Sequence, residues 1–273
     1  IPSEIKKYSN YNKYTKYTVA FNYYMKQLEK AGGGKFIIKK GTYEMSNSVY
    51  IPSNVQVVLK NGVVLKNIYE TGGAGYPPSN NVFSLCPPSK SKIKGSCKKV
   101  SGAKNISITG KGNATIDNNF VEGGGTIVIS HNKNVKVSGI TFKNQNGGHF
   151  LEITGVENVV IENCTFKGSK ASTRAKNYMK EAINLDTPDP ETHGLNAVWV
   201  AQDRTDNKNI TITNNVFDGV TRGVGTHKYS QKKGENVYHE NVVITNNTFK
   251  NIFDNGVFIL NWKNATIENN TFN

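Results

Sequence analysis

The sequence predicts an all-β chain wound as a parallel β-helix, and three observations carry that prediction. A ten-residue phrase recurs: KNVKVSGITF (133–142), ENVVIENCTF (157–166), KNITITNNVF (208–217), ENVVITNNTF (240–249) and KNATIENNTF (263–272), with a weaker copy, KNISITGKG, from Lys104. Repeats of this kind dictate a stacked architecture of rungs about 22–25 residues long. Within each copy, V-x-I or I-x-I places two branched side chains on one face of a short strand, and Asn-rich corners follow. Only 36% of the 273 residues are hydrophobic and the mean hydropathy is −0.50. That is too polar for one large core but suits a narrow coil that grows by stacking. A single domain, 1–273, accommodates the whole pattern.

The N-terminal elements read in order. After a Tyr/Lys/Asn-rich lead, helical spacing of Val19, Phe21, Tyr24, Met25 and Leu28 predicts a helix over 17–31, stopped by the glycines at 32–34. Such a helix would cover the open first rung, because solenoid ends need caps. GKFIIKKGTY (34–43) and SVYIPSNVQVVLKNGVVLKN (48–67) follow as strands, then a long loop, 68–103. The helix, the glycine turn, the "GTY" strand and the "IPSNV" rung together resemble the opening of the pectin-lyase-like right-handed β-helix superfamily. The resemblance implies a right-handed coil. That superfamily spans lyases, hydrolases, epimerases, esterases, tailspikes and adhesins, so function has to be argued from the site.

Inside the repeats, Asn recurs at the second position (105, 134, 158, 209, 241 and 264), where corners need a left-handed residue and stacked amides can form ladders. The N-x-T/S matches at Asn105, Asn113, Asn163, Asn209, Asn246, Asn264 and Asn269 are read as these corner residues and not as glycan acceptors. The Phe closing each phrase is read as interior. The chain stops at Asn273 directly after a repeat with no capping helix, which predicts a trimmed chain or further rungs or domains. No signal peptide is read at the start of the sequence, and no run approaches the roughly 18 apolar residues of a membrane span.

The strand preceding each phrase supplies the site argument. TIVISH (126–131), FLEITG (150–155), AINLDT (182–187), GVGTHK (223–228) and GVFILN (256–261) align on inward pairs Ile127/Ile129, Leu151/Ile153, Ile183/Leu185, Val224/Thr226 and Val257/Ile259. The outward columns then read Val128, Glu152, Asn184, Gly225, Phe258 and Ser130, Thr154, Asp186, His227, Leu260. Polar groups capable of chemistry cluster in the three middle rungs. Asp186, Glu152 and His227 are the catalytic candidates. Asn184, Lys228 and Arg222 flank them as substrate-binding groups, and the inserts add Trp199, Asp203, Arg204 and Tyr229. The 188–207 and 229–239 loops are expected over this groove, since long loops on a rigid scaffold usually carry function. A basic insert, 167–180, emerges beside it.

The net charge of +14 suggests a polyanionic partner. Scattered lysines and no nucleic-acid motif disfavour nucleic acid, leaving an acidic polysaccharide, with the protein a monomer outside the membrane. Cys86 and Cys97 bracket a polar loop, predicting a disulfide and a secreted or cell-surface setting, with Cys164 a buried free thiol.

Three functions fit. The favoured one is a glycoside hydrolase, without cofactor. Glu152 and Asp186, one rung and two residues apart, would stand roughly 8 Å from each other, inside the about 6.5–9.5 Å an inverting enzyme uses. Asn184-x-Asp186 followed by His227 is similar to the polygalacturonase layout, although that family's paired-Asp and Arg-Ile-Lys motifs are missing. The second is a uronate lyase or epimerase using Ca²⁺ held by Glu152, Asn184 and Asp186. The third is a non-catalytic adhesin or tailspike-like glycan binder.

Overall fold

The computed structural model describes residues 1–170 and 180–273; the centre of the basic insert, 171–179, lies outside the described residues. The chain winds as a coil of three parallel sheets, with successive turns adding strands to them. The first sheet runs from Gly34–Ile38 through Lys133–Ser138 and Glu157–Glu162 to Trp262–Lys263, and the second from Gly41–Met45 to Thr271–Phe272. The third contains Val49–Tyr50, Phe83–Ser84, Gly125–Ser130, His149–Thr154, Glu181–Asp186, Arg222–Gly225 and Asn255–Phe258.

The repeat phrase builds the first two sheets and the corner between them. Asn54, Asn105, Asn134, Asn158, Asn209 and Asn241 all take φ between 56° and 61°. Each amide from Asn105 to Asn241 donates to the one before it at 2.9–3.0 Å, forming a continuous ladder. Sequence separations along this ladder range from 24 to 51 residues, because inserts leave the coil between strands without altering the register. Asn163, Asn246 and Asn269 also have positive φ at the next corner, as their reading as turn residues requires. A buried ladder joins Asn215, Asn247 and Asn270 at 3.0 Å. Inside the coil Phe142, Phe166, Phe217 and Phe249 stack at 4.7–5.0 Å with nearly parallel rings, and Phe272, exposed at the last rung, continues the column at 4.9 Å.

The predicted cap is the helix Lys16–Lys30, which buries Val19, Ala20, Phe21 and Met25 against the first rung. No helix among the described residues is long and apolar enough to cross a membrane. Eight of the ten predicted inward residues are fully buried. The exceptions are Val257, half-buried, and Ile259, 46% exposed, since their rung has a neighbour on one side only.

The expected Cys86–Cys97 disulfide is corrected. Both are free thiols, buried with Val128, Trp199 and Val200, and they share a hydrogen bond that holds Cys97 down to about 7 and pushes Cys86 up. An apolar cluster, and not a covalent link, closes this loop. Cys164 is free and buried as expected, its thiol raised to about 12 by burial. Thiol titration of the unfolded, unreduced protein should therefore count three groups.

The left-handed ladder makes a second prediction. Asn158→Gly keeps the backbone and loses only ladder hydrogen bonds, costing about 0.5–1.5 kcal/mol. Asn158→Val adds roughly 1–2 kcal/mol of left-handed strain. Urea unfolding midpoints should rank wild type, then Gly, then Val; equal losses would remove the ladder's conformational role.

Candidate functional site

The third sheet places the site. Its register pairs Val128, Glu152 and Asn184 with Gly225 and Phe258 across successive rungs, and Ser130 and Thr154 with Asp186, as the two outward columns require. A cleft of about 440 Å³ lies over these rungs, lined by Glu152, His149, Lys180, His227 and Lys228, with the loop residues 193–197 as one wall.

Alternation breaks at the start of two strands. Phe150 and Leu151 both enter the core, as do Ala182 and Ile183. His149 and Glu181, which strict period-two reading would send inward, are thereby freed to meet the cleft's other polar groups. Sequence reasoning missed them for this reason; a charged or imidazole residue at the first position of each strand was the available signal. Lys180, at the edge of the basic insert, was missed with them.

Glu181 is the hub. Its Oε1 accepts from Arg222 Nη1 at 3.1 Å and its Oε2 lies 2.9 Å from His227 Nδ1. The His149 and His227 rings stack 5.3 Å apart. Lys180 Nζ is 3.2 Å from His227 Nε2, and Asn184 donates to Glu152 Oε1 at 2.9 Å. Burial works against ionised Glu181, but the His227 hydrogen bond and neighbouring charge outweigh it and hold the carboxyl at about 2. Burial and the nearby His227 push His149 down to about 3. The 3.8 Å approach of His149 to Glu181 is therefore no ion pair near neutrality; the ring donates from Nδ1 to the Glu181 carbonyl at 2.7 Å. Burial, and then the Asp186 charge, raise Glu152 well above the ordinary carboxylate range. Burial also raises Asp186.

The remaining expected site residues take other places, although Asp186 Oδ2 stays within 3.8 Å of His227 Nε2. Asp186 is fully buried beneath the 188–207 loop, where Gly194 closes on it and the Lys228 amide donates to Oδ1 at 3.3 Å. Arg222 is held by Glu181 and Asp254 over the Phe258 ring, so it braces the floor. Trp199 is buried against the cysteines and cannot stack on a sugar. Arg204 grips Asp189 at 2.9 Å and Glu191 at 2.5 Å, while Asp203 caps Thr205 and the Lys99 amide. These three staple the loop. Tyr229 is exposed but lines the neighbouring depression with Asp189, not the main cleft. Glu152, Asn184 and Asp186, the oxygen set proposed for Ca²⁺, lie together on adjacent strands, with the Asn184 amide donating to Glu152 Oε1 at 2.9 Å.

These shifts fix a pH signature. A raised carboxyl such as Glu152 favours the folded state below its unfolded value near 4.3 and loses that contribution as pH rises through its folded value. His149, lowered, favours the folded state above about 6.5 and loses that contribution as pH falls toward 3. Glu152→Gln should match wild type in thermal midpoint at pH 4 and exceed it by a few degrees at pH 8. A variant that melts lower at pH 8 would show that Glu152 stabilises the fold as an ion.

Comparison with known proteins corrects the expectation of an enzyme. The chain is 26% identical over 260 residues to the plasmin and fibronectin-binding protein A of Streptococcus pneumoniae, covering 88% of this chain and 34% of that protein. It thus spans about a third of that relative's length. Among solved structures it superposes on PfbA, a surface adhesin of Streptococcus pneumoniae, with a TM-score of 0.70 and 23% identity, covering 91% of this chain and 57% of that one. A Yersinia enterocolitica family 28 exopolygalacturonase is more distant, at TM-score 0.59 and 16% identity over 91% of this chain and 55% of that one, and shares the fold alone. The nearer likenesses are therefore to an adhesin, not to a glycosidase or lyase. Residues 79–272 match the right-handed β-helix region, and the chain belongs to the right-handed parallel β-helix family.

Proposed function

We propose that this chain is a non-catalytic, cell-surface adhesin module that binds an anionic glycan in the cleft of its third sheet. One observation carries the reading: a cationic rim stands over a buried hydrogen-bonding floor. Lys180 and Lys228 supply the rim; Glu152, His149 and His227 supply donors and acceptors below it. The volume of about 440 Å³ falls within the about 300–1,000 Å³ of small-ligand clefts. Floor carboxyls and imidazoles suit sugar hydroxyls, and lysines suit carboxylates or sulfates. The net charge of +14 would draw a polyanion toward the molecule. The full burial of Asp186, against a partly accessible Glu152, supports the non-catalytic reading. The surface-adhesin likeness supports an extracellular placement.

The test is titration calorimetry with uronate and sulfated oligosaccharides beside a neutral one. Anionic ligands should bind saturably, weakening steeply as salt rises, because exposed charges are screened over about 8–10 Å. Lys228→Ala should weaken binding about tenfold, as for loss of one charge-assisted contact, and the sugar should be recovered intact. Unsaturated products or new reducing ends would overturn the non-catalytic reading. Salt-independent binding, or binding to plasmin or fibronectin with no glycan affinity, would overturn the anionic-glycan reading.

A further inference from the structure

Beneath the cleft floor, two imidazoles and a carboxylate converge more tightly than glycan recognition requires. Among the described residues, His149, Glu181 and His227 form the group whose ligand atoms, one from each side chain, all lie within 4.8 Å of one another. A zinc ion with bonds of about 2.0–2.1 Å sets its ligands about 3.3 Å apart, so closure asks each side chain to move by less than about 1 Å. We propose that His149, Glu181 and His227 form a binding site for one divalent transition-metal ion of the zinc class.

Donor chemistry selects the ion. Two imidazoles with one carboxylate suit zinc, cobalt or nickel, whereas calcium and magnesium prefer all-oxygen sets. The ligands are braced as metal ligands usually are. Arg222 holds Glu181 through Oε1, leaving Oε2 toward the two rings. His149 and Glu181 lie on adjacent strands of one rigid sheet, and both are at least nine-tenths buried.

A second observation concerns charge. Three carboxyl groups gather on the ring pair: ionised Glu181, Glu152, whose burial favours the neutral acid, with Oε2 3.6 Å from His149 Nε2, and Asp186 with Oδ2 3.8 Å from His227 Nε2. Asp186 Oδ2 is buried and accepts no hydrogen bond from the described residues. Lys180 places its ammonium 3.2 Å from His227 Nε2, so a cation already belongs here. A metal ion would displace Lys180 toward solvent and satisfy more of this acceptor surplus than one ammonium can. His227, half-buried on the cleft wall, gives the ion its way in. The site does not depend on what the cleft above it binds.

The experiment uses the full chain after chelation and dialysis, titrated with zinc alone and then cobalt alone, without glycan. One equivalent of zinc should bind with micromolar or tighter affinity, calcium and magnesium should not compete, and cobalt should give the intense visible bands of a four-coordinate site. His149→Ala and His227→Gln should each weaken zinc binding by more than the about 10–100-fold that loss of a supporting residue costs. Lys180→Met should tighten it by about tenfold, because a like charge has been removed. His227→Gln keeps the test open if a change at buried His149 disturbs folding. Weaker-than-micromolar affinity, weak octahedral cobalt bands, or affinity unchanged in both histidine variants would each overturn the site.

Discussion

Everything in this molecule hangs on holding rung above rung in a constant register. Parallel strands must return to the same azimuth after every turn, and a one-residue slip would turn the inward side chains of a strand outward. The left-handed asparagines enforce that return. Their backbone turns the corner at the same place in each rung, and their amides bond along the stack. The Phe column does the same from inside. Inserts as different as the short corner between the 133–142 and 157–166 phrases and the long excursion before Lys208 are tolerated because neither enters the register.

That rigidity makes a polar interior affordable. Glu181 is fully buried and ionised, a condition normally destabilising unless the charge is paired and hydrogen-bonded. Here Arg222 and His227 meet both oxygens, and the strand register keeps all three in place. Glu152 takes the opposite course: burial without a cation of its own lifts its pKa and favours the neutral acid. Two glutamates on neighbouring strands thus acquire different protonation states from different partners.

The loops decide access. Residues 188–207 could have been a mobile strap, but Trp199 anchors them in the small apolar cluster with Cys86 and Cys97, and Arg204 ties them back to Asp189. His131 sits between the carbonyls of Lys99 and Ala201, 2.6 and 3.0 Å from its two ring nitrogens, and its N–H donates to one of them. The loop therefore forms a fixed wall over Asp186. A β-helix shared by polygalacturonases and adhesins carries no function by itself. Here the wall removes Asp186 from the cleft surface while leaving Glu152, His227 and the lysines in place.

The sequence alone determined the coil, its cap, the strand register and the Asn corners, because these follow from local propensity and a repeat that restates the same pattern several times. It also brought Glu152, Asn184 and Asp186 to neighbouring rungs of one face, since period-two alternation holds through the middle of those strands. Tertiary structure decided the rest. The paired entry of Phe150 with Leu151 and of Ala182 with Ile183 into the core turned His149 and Glu181 toward the site, against the alternation. Long-range loop packing buried Trp199, Asp189 and Asp186 and left Cys86 and Cys97 as adjacent thiols. The physical reason is one of range: repeat and alternation are written within a rung, whereas burial of a loop residue depends on partners up to about a hundred residues away, as with Asp203 on Lys99 at a separation of 104.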